Sequence, residues 1–263
     1  MLVKPVFLPV LAIMMVLFAQ CAPASTTEQK TSDKASTAIK LMTSLPIIWG
    51  EGGSMQDILS GDAESAPIYK YWQNQYAIEG VDSLEGLVGS TTDIVMLVQP
   101  RAMAPADLAE LDDWVRKGGD AIIMTDPDLI WPSALPLGDP KRPLSGGLLS
   151  PLLKHWGLEL VFEDNVTELI ELEFAGHKIS TVGVGGFEAL NNEAAEEVVC
   201  NFSEAGFIAQ CQIDQGRVIL VADADFLHEQ LWEGDSGWLD GGESGAMRFT
   251  DALIDQFYSV SKD

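Results

Sequence analysis

Hydrophobic positions along this chain fall into two rhythms. Asp93–Val98, Asp120–Thr125 and Gly216–Asp223 are short, nearly continuous apolar runs, the pattern of strands buried on both faces. Between the first two, Leu108, Leu111, Trp114 and Val115 share one face at the 3.6-residue period of a helix that starts at Pro105 and closes at Gly118-Gly119. Strand, helix, Gly-Gly, strand is a βαβ unit, which predicts parallel strands joined by a right-handed crossover. Upstream, Ile39–Thr43 predicts a strand. The loop Ser44–Gly53 follows, and Ser54 is placed to cap a short helix over Met55–Leu59. Pro67 sits at the first position of a helix reaching Gln75, and Tyr76–Val81 predicts an edge strand. Downstream, Asp126–Gly147 is a Pro- and Gly-rich loop, long enough to suggest function. Ser150-Pro151 opens a helix over Leu152–Trp156 that Gly157 ends. Leu158–Leu190 has a β-like pattern. Val198–Phe202 and Phe207–Cys211 flank the turn Ser203–Gly206 as a hairpin, and a closing helix spans Ala246–Tyr258. The expected fold class is α/β, with a mostly parallel sheet and a β-hairpin extension in a single domain over residues 39–258.

The first residues follow neither rhythm. Lys4 precedes an apolar run, Pro5–Phe18, of about 14 residues, whereas a membrane-spanning helix needs ~20. A positive start, an apolar centre and a small-residue exit predict a signal peptide over residues 1–24. Two exits are open. Leu17-Phe18-Ala19-Gln20-Cys21 resembles a lipoprotein box, with Phe18 and Gln20 departing from the usual residues, and would make Cys21 a lipidation site. Ordinary cleavage after Ala22-Pro23-Ala24 is the alternative. Residues 25–38, rich in Ser, Thr and Lys, read as a disordered tether. The expected location is the bacterial periplasm or cell envelope, with membrane attachment by lipid alone.

Charge narrows the partners. The chain carries 40 acidic and 15 basic side chains, for a net charge of -25. Residues 41–263 hold 38 of the acidic and 11 of the basic ones, net -27. Such a surface repels phosphate backbones, so nucleic acid is excluded as an expected partner. Cys200 and Cys211 lie in the two arms of the hairpin, where they either bridge in an oxidising compartment or serve as small buried hydrophobes.

Ligands of open parallel α/β sheets bind beyond the carboxyl ends of the strands. Those ends carry Ser44 with Trp49 and Glu51, then Arg101, then Asp126 with Trp131, and finally Asp223, Asp225 and His228. These nine are the candidate ligand-binding residues. The aspartates could serve a metal or acid–base chemistry, or simply cap the elements that follow. The indoles could stack on a sugar or cover the core. Gly50, Gly52 and Gly53 lack the spacing of a phosphate loop. The chain has no Gly-x-Ser-x-Gly elbow, HExxH or CxxC. No catalytic residue, cofactor or bound metal is therefore assigned.

Four stretches carry a family resemblance: Thr43–Gly52, Gln99-Pro100-Arg101-Ala102, Gly118-Gly119 and Ala222-Asp223-Ala224-Asp225. Over roughly residues 40–258 the chain resembles the auxiliary domain of uncharacterised ABC-type transport systems of the gliding-motility type. That group is similar to the class I glutamine amidotransferase-like, flavodoxin-like three-layer fold, also found in intraflagellar-transport proteins. The resemblance implies partners among ABC transporter components or other envelope proteins. Amidotransferases carry a nucleophilic Cys at a strand-to-helix turn; no strand end has one here, which implies that the activity is absent. The expected function is a non-enzymatic extracytoplasmic binding or auxiliary domain for a small polar or sugar-like ligand. The alternative is a metal-assisted hydrolase of envelope glycans using Asp126, Asp223 or Asp225.

Overall fold

The computed structural model describes residues 34–51, 55–60, 63–162, 168–190 and 198–259. The signal segment, Cys21, Gly52, Gly53 and Ser54 lie outside them. In chain order the strands are β1 (Ala38–Thr43), β2 (Ala77–Gly80), β3 (Ile94–Val98), β4 (Asp120–Met124), β5 (Leu158–Phe162), β6 (Ile170–Phe174), β7 (His177–Thr181), β8 (Gly185–Ala189), β9 (Val198–Phe202), β10 (Ile208–Ile213) and β11 (Gly216–Val221). The helices are α1 (Met55–Ser60), α2 (Pro67–Gln75), α3 (Pro105–Arg116), α4 (Ser150–His155), α5 (Ser236–Leu239) and α6 (Gly245–Ser259).

A seven-stranded sheet in the order β2-β1-β3-β4-β11-β10-β9 forms the centre. Its first five strands are parallel, in the 2-1-3-4-5 order of flavodoxin-like sheets when β11 is counted fifth. β10 and β9 extend it antiparallel, as the hairpin pattern predicts. Successive side chains of a strand point to opposite faces, so each central strand supplies two cores. Ile94, Met96 and Val98 of β3 pack with Trp72 of α2 and with Phe249 and Leu253 of α6. Val95 and Leu97 pack on the other face with Leu111, Trp114 and Val115 of α3 and Leu153 of α4. The result is a three-layer α/β domain. The β-like stretch after residue 158 resolves into two ladders, β5 with β8 and β6 with β7. They lie on opposite faces: Leu158 and Phe187 join one core, Ile179 the other.

Pro67 and Pro105 occupy first-turn positions in α2 and α3, where the missing N–H has no intrahelical acceptor to lose. Gly118, with φ of +102°, turns the chain from α3 into β4. Gly216 is required by close packing, because a Cβ there would stand 1.9 Å from the Val115 carbonyl oxygen.

The domain begins earlier than its pattern suggests. β1 starts at Ala38, and the Lys34 ammonium pairs with Asp251 at 3.0 Å and Asp255 at 3.3 Å on α6. Tyr71 and Tyr76 also donate hydroxyl hydrogen bonds to Asp251. Residues 34–38 therefore belong to the folded body rather than to a tether reaching residue 38. No helix among the described residues is long and apolar enough to cross a membrane.

Candidate functional site

The chain leaves β1 toward β2 on one side of the sheet and leaves β3 toward β4 on the other. The loops therefore diverge above the carboxyl ends of β1 and β3, at the switch point where open α/β sheets hold ligands. A cleft of about 710 Å³ opens there. Ile48, Trp49 and Glu51 line it from the loop after β1, Glu79 and Asp82 from the end of β2, and Arg101 from the turn after β3. Lys141 reaches it from the long 126–147 loop. A second cleft, about 900 Å³, lies beside Trp49 and Glu51 and is bounded by Lys70, Trp131, Ser133 and His228. Trp49 belongs to both clefts and is 53% exposed, a large aromatic surface left open to solvent.

Two polar anchors hold the walls. Glu51 accepts a hydrogen bond from the Ala134 N–H at 2.8 Å, tying the loop after β1 to the long loop. Gln99, directly after β3, is buried and has a φ of +41°, a left-handed conformation uncommon for a side chain with a Cβ. Its amide nitrogen donates to the carbonyls of Asp126 and Leu144, and its amide oxygen accepts from the Asp126 N–H. Both ends of the long loop are thereby fastened to the end of β3. His228 stands edge-on to Trp131, ring centroids 4.6 Å apart. Its Nδ1 accepts from the Gln230 N–H, and burial lowers its pKa against the opposing charge of Glu229, which favours the neutral ring.

Behind the clefts, Asp126, Asp223 and Asp225 each bring a carboxylate oxygen within 4.8 Å of the others. All three are buried. Asp126 accepts from the N–H groups of Asp128 and Ala224, Asp223 from that of Asp225, and Asp225 from that of Ile130. Burial raises the pKa of all three, with neighbouring carboxylate charge adding to it, and Asp225 reaches about 7.

Of the nine candidates, the structure gathers five at the clefts: Trp49 and Glu51 at both, Arg101 at the first, Trp131 and His228 at the second. Trp131 is only 8% exposed and offers the second cleft little surface. Ser44 lies away from both clefts: it is buried, and its hydroxyl and N–H both donate to the Gln99 carbonyl, joining β1 to β3. Asp126, Asp223 and Asp225 are buried behind the clefts and line neither of them. Cys200 and Cys211 face each other across β9 and β10 and form a disulfide.

Three charged residues of the first cleft escaped the sequence pattern: Glu79, Asp82 and Lys141. Glu79 and Asp82 were within reach, since they flank the end of an expected edge strand and the same strand-end rule applies to them. Lys141 sits inside a long loop, where no pattern tells which residue turns inward.

No protein-family model matches the chain, and no curated protein matches it. Solved structures offer distant likenesses. The mmIFT52 N-terminal domain aligns over 86% of this chain and 100% of its own, at 11% identity and a TM-score of 0.46. A putative ThuA-like protein from Bacteroides uniformis ATCC 8492 aligns over 88% and 94%, at 11% identity and 0.41. The exo-beta-1,4-mannosidase Op5Man5 from Opitutaceae bacterium strain TAV5 aligns over 90% of this chain, which spans 38% of that enzyme, at 12% identity and 0.42. Likenesses this weak bear on neither ligand nor activity.

Proposed function

We propose that this protein is a non-enzymatic, extracytoplasmic binding domain that captures a small polar or sugar-like ligand in the cleft above β1 and β3. It would do so as an auxiliary part of an ABC-type transport or envelope process. The observation that carries the reading is the cleft itself, which lies at the sheet's switch point and puts an exposed indole beside one guanidinium, one ammonium and three carboxylates. Trp49 offers an apolar plate to a sugar face, while Arg101, Lys141, Glu51, Glu79 and Asp82 offer donors and acceptors to hydroxyls around it. The disulfide fits an oxidising compartment. The hydrolase alternative needs Asp126, Asp223 or Asp225 at a substrate surface, and their burial is against it.

The test is ligand-observed NMR on the folded domain with a panel of neutral, amino and acidic sugars. A binder should lose at least tenfold in affinity with Trp49→Ala or Arg101→Ala, about 1.4 kcal/mol each. A binder indifferent to both substitutions would move the site elsewhere. Release of a cleaved product from a glycan would replace the binding reading with the hydrolase.

A further inference from the structure

We propose that Asp126, Asp223 and Asp225 hold one divalent cation of the calcium type, buried behind the clefts and bracing the loop that walls them. This goes beyond the ligand site, because none of the three lines either cleft. Three carboxylates on two adjacent strand ends, β4 and β11, converge from independent directions. One oxygen from each lies within 4.8 Å of the other two. A single cation with oxygen ligands at about 2.3–2.6 Å spans such a set.

A second observation points the same way. Asp223 is fully buried, and its Oδ2 has no hydrogen-bond partner among the described residues. Thr181, at the end of β7, is equally buried; its hydroxyl lies toward Asp223 and completes no hydrogen bond among the described residues. A carboxylate oxygen and a hydroxyl left open side by side in the interior are costly unless something binds them. Both are hard oxygen donors, as are the remaining carboxylates, and among the described residues no nitrogen or sulfur ligand joins them in the cluster. The backbone N–H groups of Asp128, Ala224, Asp225 and Ile130 fix the carboxylates from outside without using the open Oδ2.

The consequence concerns the long loop. Asp126 starts it, and Asp225 accepts from Ile130 within it, next to Trp131 at the second cleft. A cation joining the two would clamp that loop to β11.

The test uses the folded protein stripped with chelator, at 0.15 M salt to screen the acidic surface. Calcium titrated calorimetrically should bind at one per chain. At about a hundred times its dissociation constant it should raise Tm by roughly 5–10 °C. Asp223→Asn and Thr181→Val should each weaken that affinity at least tenfold. If Asp223→Asn fails to fold, stoichiometry on the wild type and affinity on Thr181→Val carry the test. No stoichiometric binding of calcium, magnesium or manganese would overturn the proposal. Sugar binding to the cleft is read separately, so either result can fail without the other.

Discussion

Gln99 is the residue on which the cleft's rear wall depends. Replacing it with Ala removes one acceptor and one donating amide from a buried position. The Asp126 N–H and the carbonyls of Asp126 and Leu144 then lose the partners they had at 2.8, 3.2 and 3.1 Å. Each such bond contributes about 1 kcal/mol net, and a buried group left unpaired costs about 1–3 kcal/mol. Gln99→Ala should therefore cost about 3–5 kcal/mol, a large part of the 5–15 kcal/mol typical of a folded domain. Gln99→Gly loses the same three bonds but accommodates the φ of +41° without a Cβ, so it should be about 1 kcal/mol more stable than the Ala variant. Urea unfolding with the disulfide intact measures both differences, provided the slope with denaturant is unchanged. An Ala variant within 1 kcal/mol of wild type would refute the role given to the side chain. A Gly variant less stable than the Ala variant would refute the backbone argument.

Reducing the Cys200–Cys211 bridge, which closes a loop of 11 residues' separation, should lower stability by about 3 kcal/mol in urea unfolding; an unchanged midpoint would show that the strands pair equally well without it. Asp112 is partly buried, which alone would raise its pKa. The Trp156 indole N–H at 2.7 Å and the Arg116 guanidinium outweigh burial and hold the pKa below the ordinary carboxylate value. A depressed folded-state pKa means stability that is present above the unfolded value, about 3.9, and lost as pH falls through the folded one. The melting difference between wild type and Asp112→Asn should accordingly be largest near neutrality and shrink below about pH 4; a difference constant from pH 3 to 7 would contradict it.

Much of the architecture is legible in the pattern. Continuous apolar runs mark β3, β4 and β11 because parallel strands covered on both faces need apolar residues at every position. The Pro and Gly signals bracket α2 and α3 because those residues have few other places to stand. The site is legible only in part. Strand-end logic brings Trp49, Glu51, Arg101, Trp131 and His228 to the clefts, since topology alone gathers strand ends. It does not tell that Asp126, Asp223 and Asp225 are buried behind the clefts, because an Asp at a strand end looks the same whether it faces solvent or turns inward. It also passes over Gln99, whose importance lies in a left-handed backbone and three bonds to residues 27 and 45 positions away. Lys34 was hidden for a similar reason: in a Ser- and Thr-rich stretch nothing local announces Asp251 and Asp255 as its partners.

The central claim is that ligand meets this protein at Trp49. Two-dimensional NMR of the indole N–H groups reads it directly, because the tryptophans sit in distinct places. Trp72 and Trp156 are fully buried and donate within the fold, to the Thr250 hydroxyl and to Asp112, whereas Trp49 is open to both clefts. On titration with a sugar that binds, the Trp49 resonance should shift with the occupancy of the site while those of Trp72 and Trp156 stay in place. A saturable binder that leaves Trp49 unmoved would contradict the account.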